Sequence, residues 1–364
     1  MNAGTILTIV EFVILFGLLI FMHELGHFLA ARLFKIEVEE FGFGFPPRML
    51  TLGTVWGTKI TLNWIPFGGF VRPKAETDAS VKGGLASASP WVRLSVALAG
   101  PVMNLIIGLV LFSTVFMQTG APNYSKVEIY TVSPNSPAEA AGLMVGDRVV
   151  AMNGEPINST DALSSMVQAN IGQELSITYQ RNGQNMTVTA VPRENPPEGE
   201  GALGIGMSNP VEPITWYNAI PLAGRMTFEQ TRQLVSLPAQ LIQGTVDPEQ
   251  ARFVGPKGVY DIYSQARERD EEIVAEAPQT GQTMPAVNTL FLMGTLSVAL
   301  GLTNLLPIPA LDGGRILFTL PEILFRKRIP QEYENLVHLV GFAMLLVLMI
   351  YITTQDILNP IVLP

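Results

Sequence analysis

The segment ILFGLLIFMHELGHFLAARLF, residues 14–34, constrains this chain more than any other. It reads as a membrane-spanning helix, yet His23, Glu24 and His27 sit inside it. Residues four apart on a helix are rotated by about 400°, so the two imidazoles fall within about 40° of each other on one face. Two imidazoles so placed can hold one metal ion. Glu24, about 100° round from His23, can touch a water at that ion without being forced to ligate. Ionisable groups in hydrocarbon are costly and usually mark function, which outweighs a chance match or a merely hydrogen-bonded cluster. The H-E-x-x-H frame thus predicts two metal ligands, His23 and His27, and a general base, Glu24.

The rest of the chain points to a membrane setting. Of its 364 residues 48% are hydrophobic and 15% charged, where soluble domains carry about 25% charged residues. Four apolar runs, residues 6–33, 94–117, 288–309 and 336–353, are long enough to span, a crossing needing about 17–25 residues. No Lys or Arg precedes the first run, so it lacks the basic start of a signal peptide and is expected to be retained. The net charge of −9 offers no basic patch, so no nucleic-acid partner is expected. The absence of cysteine excludes disulfides and thiolate metal sites.

Basic residues orient the runs. Arg32, Lys35, Arg48, Lys59, Arg72, Lys74, Lys82 and Arg93 lie between the first and second, and Arg326, Lys327 and Arg328 between the third and fourth. No Lys or Arg follows the fourth. The basic loops are therefore expected in the cytoplasm, with both termini and residues 118–284 outside a cell (inner or plasma) membrane.

Within that outer segment a compact module is legible. Ser136 is a helix N-cap followed by Pro137 at the first helical position and Glu139 three residues on. Asn153-Gly154 and Asn182-Gly183 mark tight turns between alternating strands, and Ser159 or Asn158 can cap a helix through about Ala169. The order, carried by VSPNSPAEAAGLMVGDRVVAMNGEPI, resembles a PDZ domain of the bacterial protease type. The expected divisions are an N-terminal membrane core at 1–118, a PDZ-like domain at 119–195, a linker with an amphipathic segment at 196–285 and a C-terminal membrane core at 286–364. In the linker, TFEQTRQLVSLPAQLIQG is expected along the membrane surface or over the PDZ-like domain, and QARERDEEIVAEA as a charged helix with a solvated face. A loop that grips a chain end should precede the strand near 126–132, but QTGAPNY matches one poorly, which favours a steric role for this domain.

Two histidines leave a catalytic zinc short of its usual three protein ligands. One candidate is His338, near the start of the fourth run. The other is Asp312 in TNLLPIPALDGGR, residues 303–315. Pro307 and Pro309 break the third run, and Gly313 and Gly314 free the backbone after Asp312. Non-helical backbone at membrane depth is tolerated only inside protein or beside a wet cavity, and a carboxylate there is most simply explained by a cation. His23 lies about 25 Å along the helix from Ile6, and Asn304 about 24 Å from Asn288, so both sites reach the cytoplasmic leaflet.

HELGH in the first run, AGPVMN in the second and NLLPIPALDGG in the third resemble the site-2 protease family, and most closely its bacterial regulator-of-sigma-E branch. FVGPKGVYDI, residues 253–262, is similar to a Gly-Pro motif that follows the PDZ region there. One PDZ-like module is legible here, where some members carry two. The resemblance implies Zn2+ on His23, His27 and Asp312, with Glu24 as base. It places Asn104 and Asn304 near the active site, where their amides could bind substrate backbone or join helices. KITLNWIPFGGFV, residues 59–71, alternates like a strand; the family implies a membrane-inserted β-hairpin to whose edge an extended substrate adds. The implied substrates are single-span membrane proteins such as anti-sigma factors, trimmed beforehand by an upstream site-1-type protease. The expected fold is a multi-span α-helical membrane protein with about four transmembrane helices, a membrane-associated β-hairpin and an inserted extracytoplasmic α+β PDZ-like domain. Two rival functions are a non-catalytic membrane PDZ scaffold and an ion-coupled transporter. The complete metal frame disfavours the first, and the lack of an inverted repeat between the halves disfavours the second.

Overall fold

The computed structural model describes residues 3–76, 78, 80–245, 253–280 and 285–361. The chain divides into two compact units, one of Met1–Gln118 with Thr215–Pro364 and the other of Thr119–Ile214.

The first unit opens with helix α1 (Ala3–Leu33), strands β1 (Val38–Val55) and β2 (Thr58–Pro73), and helix α2 (Pro90–Thr119). The expected hairpin is more elaborate than a single pair. Phe41 faces both Val71 and Ile60, and Thr61 faces both Gly42 and Thr51, so the two strands double back into four runs, antiparallel at the two outer pairings and in parallel register between 38–43 and 59–63. Their order is 69–73, 38–43, 59–63, 48–55. Phe21 and Phe28, one above the other on α1, bind this sheet: Phe21 stacks on Phe43 at 4.3 Å, and both stack on Phe41 at 5.1 Å. Glu40, buried in the sheet, is satisfied by Arg48, Arg72 and Thr61.

The second unit follows as β3 (Ala121–Pro122), β4 (Val127–Val132), α3 (Pro137–Ala140), β5 (Arg148–Met152), β6 (Glu155–Pro156), α4 (Thr160–Ala169), β7 (Leu175–Arg181), β8 (Gln184–Ala190), β9 (Ile205–Ser208) and β10 (Val211–Glu212). Ser136 and Ser159 cap α3 and α4, each accepting a backbone N–H at 3.1 Å. Asn153, Gly154, Asn182 and Gly183 all take positive φ, as such turns require. Val127, Ile129, Leu163, Leu175 and Ile177 form its core. The main sheet runs β8-β7-β5-β4-β9. This corrects the expected boundary at 195: β9 pairs with β4, and β10 pairs with β3. The strands after 195, IGMS and VE, are too short to show alternation, and only their partners make them strands.

The first unit resumes with α5 (Trp216–Gln243), α6 (Pro256–Thr280), α7 (Asn288–Leu305), α8 (Asp312–Phe325) and α9 (Gln331–Leu358). Helices α1, α2, α7 and α9 are long and apolar enough to cross a membrane. Small residues let them approach: Gly26 lies against the Ala99 carbonyl, Gly108 against Val298 and Gly301 against the Pro101 carbonyl. Helix α7 stops at Leu305, where Leu306 turns extended ahead of Pro307, the break expected within the apolar run 288–309. The charged helix α6 is less solvated than expected. Asp356 of α9 accepts the N–H groups of Gly255 and Gly258 at its start, Tyr263 is buried against Phe12, and Arg267 pairs with Glu11 of α1 at 2.6 Å.

Candidate metal centre

His23 and His27 lie one helical turn apart on α1, and their Nε2 atoms stand 3.1 Å apart. Asp312 is the first residue of α8, and its Oδ2 lies 3.0 Å from His23 Nε2 and 3.3 Å from His27 Nε2. A tetrahedral ion bound at about 2.0–2.1 Å sets its ligand atoms about 3.3–3.4 Å apart, and this triangle is only slightly tighter. The donor set, two neutral imidazoles and a carboxylate, suits zinc.

The surroundings aim these groups. His27 Nδ1 donates to the Val96 carbonyl at 2.7 Å, which leaves the Nε2 lone pair directed at His23 and Asp312. Gly100 of α2 lies flat on the pair, where a Cβ would strike His27 Nε2 and stand 2.8 Å from His23 Cε1. The glycine of the AGPVMN segment thus lets α2 approach the imidazoles themselves. On the other side Glu24 Oε2 accepts the Val71 N–H at 3.1 Å, which joins the edge run 69–73 to the H-E-x-x-H helix.

Asp312 owes its place to the broken segment before it. The chain leaves α7 at Leu305, passes through Ala310 at φ 77°, and re-enters a helix at Asp312. Gly313 and Gly314 lie against the carbonyls of Leu305, Leu306 and Ile308, where side chains would not fit. His338 of α9 accepts the Ala310 N–H on Nδ1 at 2.9 Å, and Gly341 packs on Pro309. His338 thus braces this segment through Nδ1, and it is not among the three residues whose donor atoms converge.

A cavity of about 610 Å³ opens beside the cluster, lined by His23, Glu24, His27, Asp312, Asn304 and residues 69–71. Asn304 is therefore where a substrate amide could meet it. Asn104 is not: it is 1% exposed, does not line the cavity, and places Nδ2 3.3 Å from His23 Nδ1. Asn104, expected near substrate, is placed by α2 in the α1 interface behind His23. Sequence reading missed helix α8 and the roles of Gly100 and Val71. Only for Gly100 was there a local signal, a glycine inside an apolar helix.

In the unit of Thr119–Ile214, a groove of about 310 Å³ lies between α4 and the segment 200–207. It is bounded by β9, an edge strand, and not by the loop before β4 where a chain-end site was expected.

Residues 11–348 match peptidase family M50. A protein of Clostridium perfringens, provisionally named a zinc metalloprotease, is 34% identical over 348 residues, covering 95% of this chain and 97% of its own. The zinc metalloprotease RasP of Geobacillus kaustophilus is 28% identical over 436 residues, covering 97% and 98%, and RasP of Oceanobacillus iheyensis is 27% identical over 441 residues, covering 96% and 98%. Among solved structures, the PDZ domain of an SdrC-like protein from Listeria monocytogenes matches at 20% identity and a TM-score of 0.21, covering 23% of this chain and 88% of its own. The chain belongs to peptidase family M50, the site-2 proteases, in the regulator-of-sigma-E branch, and is a zinc metalloprotease with several apolar helices of membrane-spanning length.

Proposed function

We propose that this intramembrane metalloprotease cleaves the transmembrane segments of single-span proteins, with His23, His27 and Asp312 holding zinc and Glu24 as general base. The observation that carries this is the convergence of two histidines and a carboxylate 289 positions away, with Glu24 on the same cavity. When bound there, zinc would supply Lewis-acid polarisation of the scissile carbonyl and a more acidic water. Glu24 takes the proton of the attacking water and passes it to the leaving amine. The Val71 N–H holds Glu24 Oε2, and so sets the rotamer of the base before substrate arrives.

A helical peptide bond is shielded by its own turns, so the substrate must unwind at the cut. Among the described residues, the run 69–73 has a neighbour, 38–43, on one side only. An unwound segment adds to its other edge, beside Glu24, and Asn304 offers its amide to the backbone groups that unwinding exposes. Anti-sigma factors trimmed by an upstream protease fit these demands. The termini and the unit of Thr119–Ile214 lie outside the cytoplasm on this reading, supported by the basic loops. That unit is a PDZ-type module, supported by its strand order and capped helices. Its steric role rested on the poor loop before β4; the groove beside β9 favours docking of an extended, trimmed chain end by strand addition.

The test is cleavage of a single-span substrate by the purified full chain in proteoliposomes, with and without a zinc chelator. Cleavage inside the membrane segment that stops on chelation and returns with zinc is expected. A zinc-loaded protein that leaves such segments intact would sink the proposal and return the scaffold and transporter readings.

A further inference from the structure

The geometry points to Asn104 as a positioning residue that sets the tautomer of His23 and thereby the affinity of the site for zinc. The inference rests on the assignment of His23, His27 and Asp312 as ligands.

Each imidazole ligand must present Nε2 without its proton, so each needs an acceptor for a proton on Nδ1. For His27 the acceptor is the Val96 carbonyl, which can do nothing else. For His23 the only side chain placed there among the described residues is the Asn104 amide, with Nδ2 at 3.3 Å from Nδ1. In that orientation the amide N–H donates to Nδ1. The ring proton then sits on Nε2, which faces Asp312 Oδ2 at 3.0 Å. A half-turn about the Cβ–Cγ bond exchanges amide nitrogen and oxygen, which have nearly the same shape. Oδ1 then accepts from Nδ1–H, and the Nε2 lone pair turns to the ion.

Two observations make the half-turn cheap and the position exact in space. Among the described residues Oδ1 is buried with no hydrogen-bond partner, so no donor holds it where it stands and rotation breaks no bond there. The backbone is fixed: Ser297 Oγ donates to the Asn104 carbonyl at 2.8 Å, and a Cβ on Gly301 would lie 3.2 Å from Asn104 Cβ, so α7 presses closely on this point. An asparagine serves either tautomer. An aspartate would serve only the zinc-competent one, and would add a carboxylate to a site that already holds Glu24 and Asp312.

The experiment uses the detergent-solubilised full chain and reads zinc affinity by competition with a chelator, then kcat and KM on zinc-saturated enzyme. Asn104→Leu keeps the branched outline but removes the acceptor. Asn104→Asp keeps the acceptor. Ser297→Ala disturbs the same packing but spares the amide. We expect N104L to weaken zinc about 10–100-fold, with KM unchanged once zinc is saturating, while N104D and S297A stay within a few-fold of wild type. Wild-type zinc affinity in N104L, equal weakening in N104L and S297A, or a raised KM with unchanged zinc affinity would each overturn the inference. If N104D fails to accumulate, the contrast between N104L and S297A still decides. His23→Ala, run alongside, separates the two levels: unchanged zinc affinity there would mean that the ligand assignment itself is wrong.

Discussion

Asp312 Oδ2 lies 3.0 Å from His23 Nε2, although 289 positions separate the two residues. No local periodicity relates them, and α7, the broken segment and α8 together carry the carboxylate to the imidazole. Asp312→Ala should therefore lose zinc by more than the about 10–100-fold typical of an outer-shell change. Metal content after dialysis measures this, and full retention of zinc would remove Asp312 from the site.

Glu24→Gln should keep zinc and fold but lose turnover by about 10²–10⁴-fold, the usual contribution of a positioned acid or base. The glutamine carbonyl can still accept the Val71 N–H, so the edge run should stay in place. Cleavage assays on protein of verified zinc content test it. Turnover within a few-fold of wild type would count against the mechanism.

His338→Ala leaves the Ala310 N–H without the partner it now has at 2.9 Å. The contact is partly buried, so its loss should cost at most about 1–3 kcal/mol, the figure for a fully buried donor. The strain falls on the segment that carries Asp312, so zinc affinity should drop. His338→Gln, whose carbonyl can accept the same N–H, should recover part of it. Loss of zinc beyond that of Asp312→Ala would instead make His338 a ligand.

Asp270 of α6 caps α7, accepting the N–H groups of Asn288 at 2.9 Å and Thr289 at 2.8 Å. Burial alone would raise its pKa, but the hydrogen bonds from Thr289 and Asn288 outweigh this and hold it below the usual carboxylate range. A depressed folded pKa gives stability that is present above the unfolded value, about 3.9, and is lost as pH falls through the folded one. Asp270→Ala should cost about 0.5–2 kcal/mol at neutral pH. That difference should hold down to about pH 4 and shrink below it. Thermal unfolding of both proteins in detergent across pH reads this, and a gap that persists or widens in acid would refute it.

Replacing the unit of Thr119–Ile214 by a Gly/Ser bridge removes no candidate ligand or base. Zinc binding and cleavage of a bare transmembrane peptide should survive, while KM for trimmed substrates should rise. An unchanged KM together with new cleavage of untrimmed substrates would make the unit a steric barrier and not a docking site. A deletion ending near 193 would be a poorer test, because it strands β9 without β4.

What the sequence determined by itself is what depends on neighbours within a few residues. Four apolar runs, the H-E-x-x-H face of α1, the serine caps and the Asn-Gly turns follow from helix and turn geometry, which is local. What it left open were the contacts between distant segments. It offered Asp312 and His338 as third ligand, and the fold brings Asp312 to the two histidines because α8 begins there, while α9 turns His338 to the Ala310 backbone. It treated Asn104 and Asn304 alike, and helix packing buries the first behind His23 while leaving the second on the cavity. It could not find β9, whose four residues are a strand only because β4 lies beside them. Side-chain direction and strand pairing are set by what the rest of the chain brings alongside, and only the folded molecule holds that information.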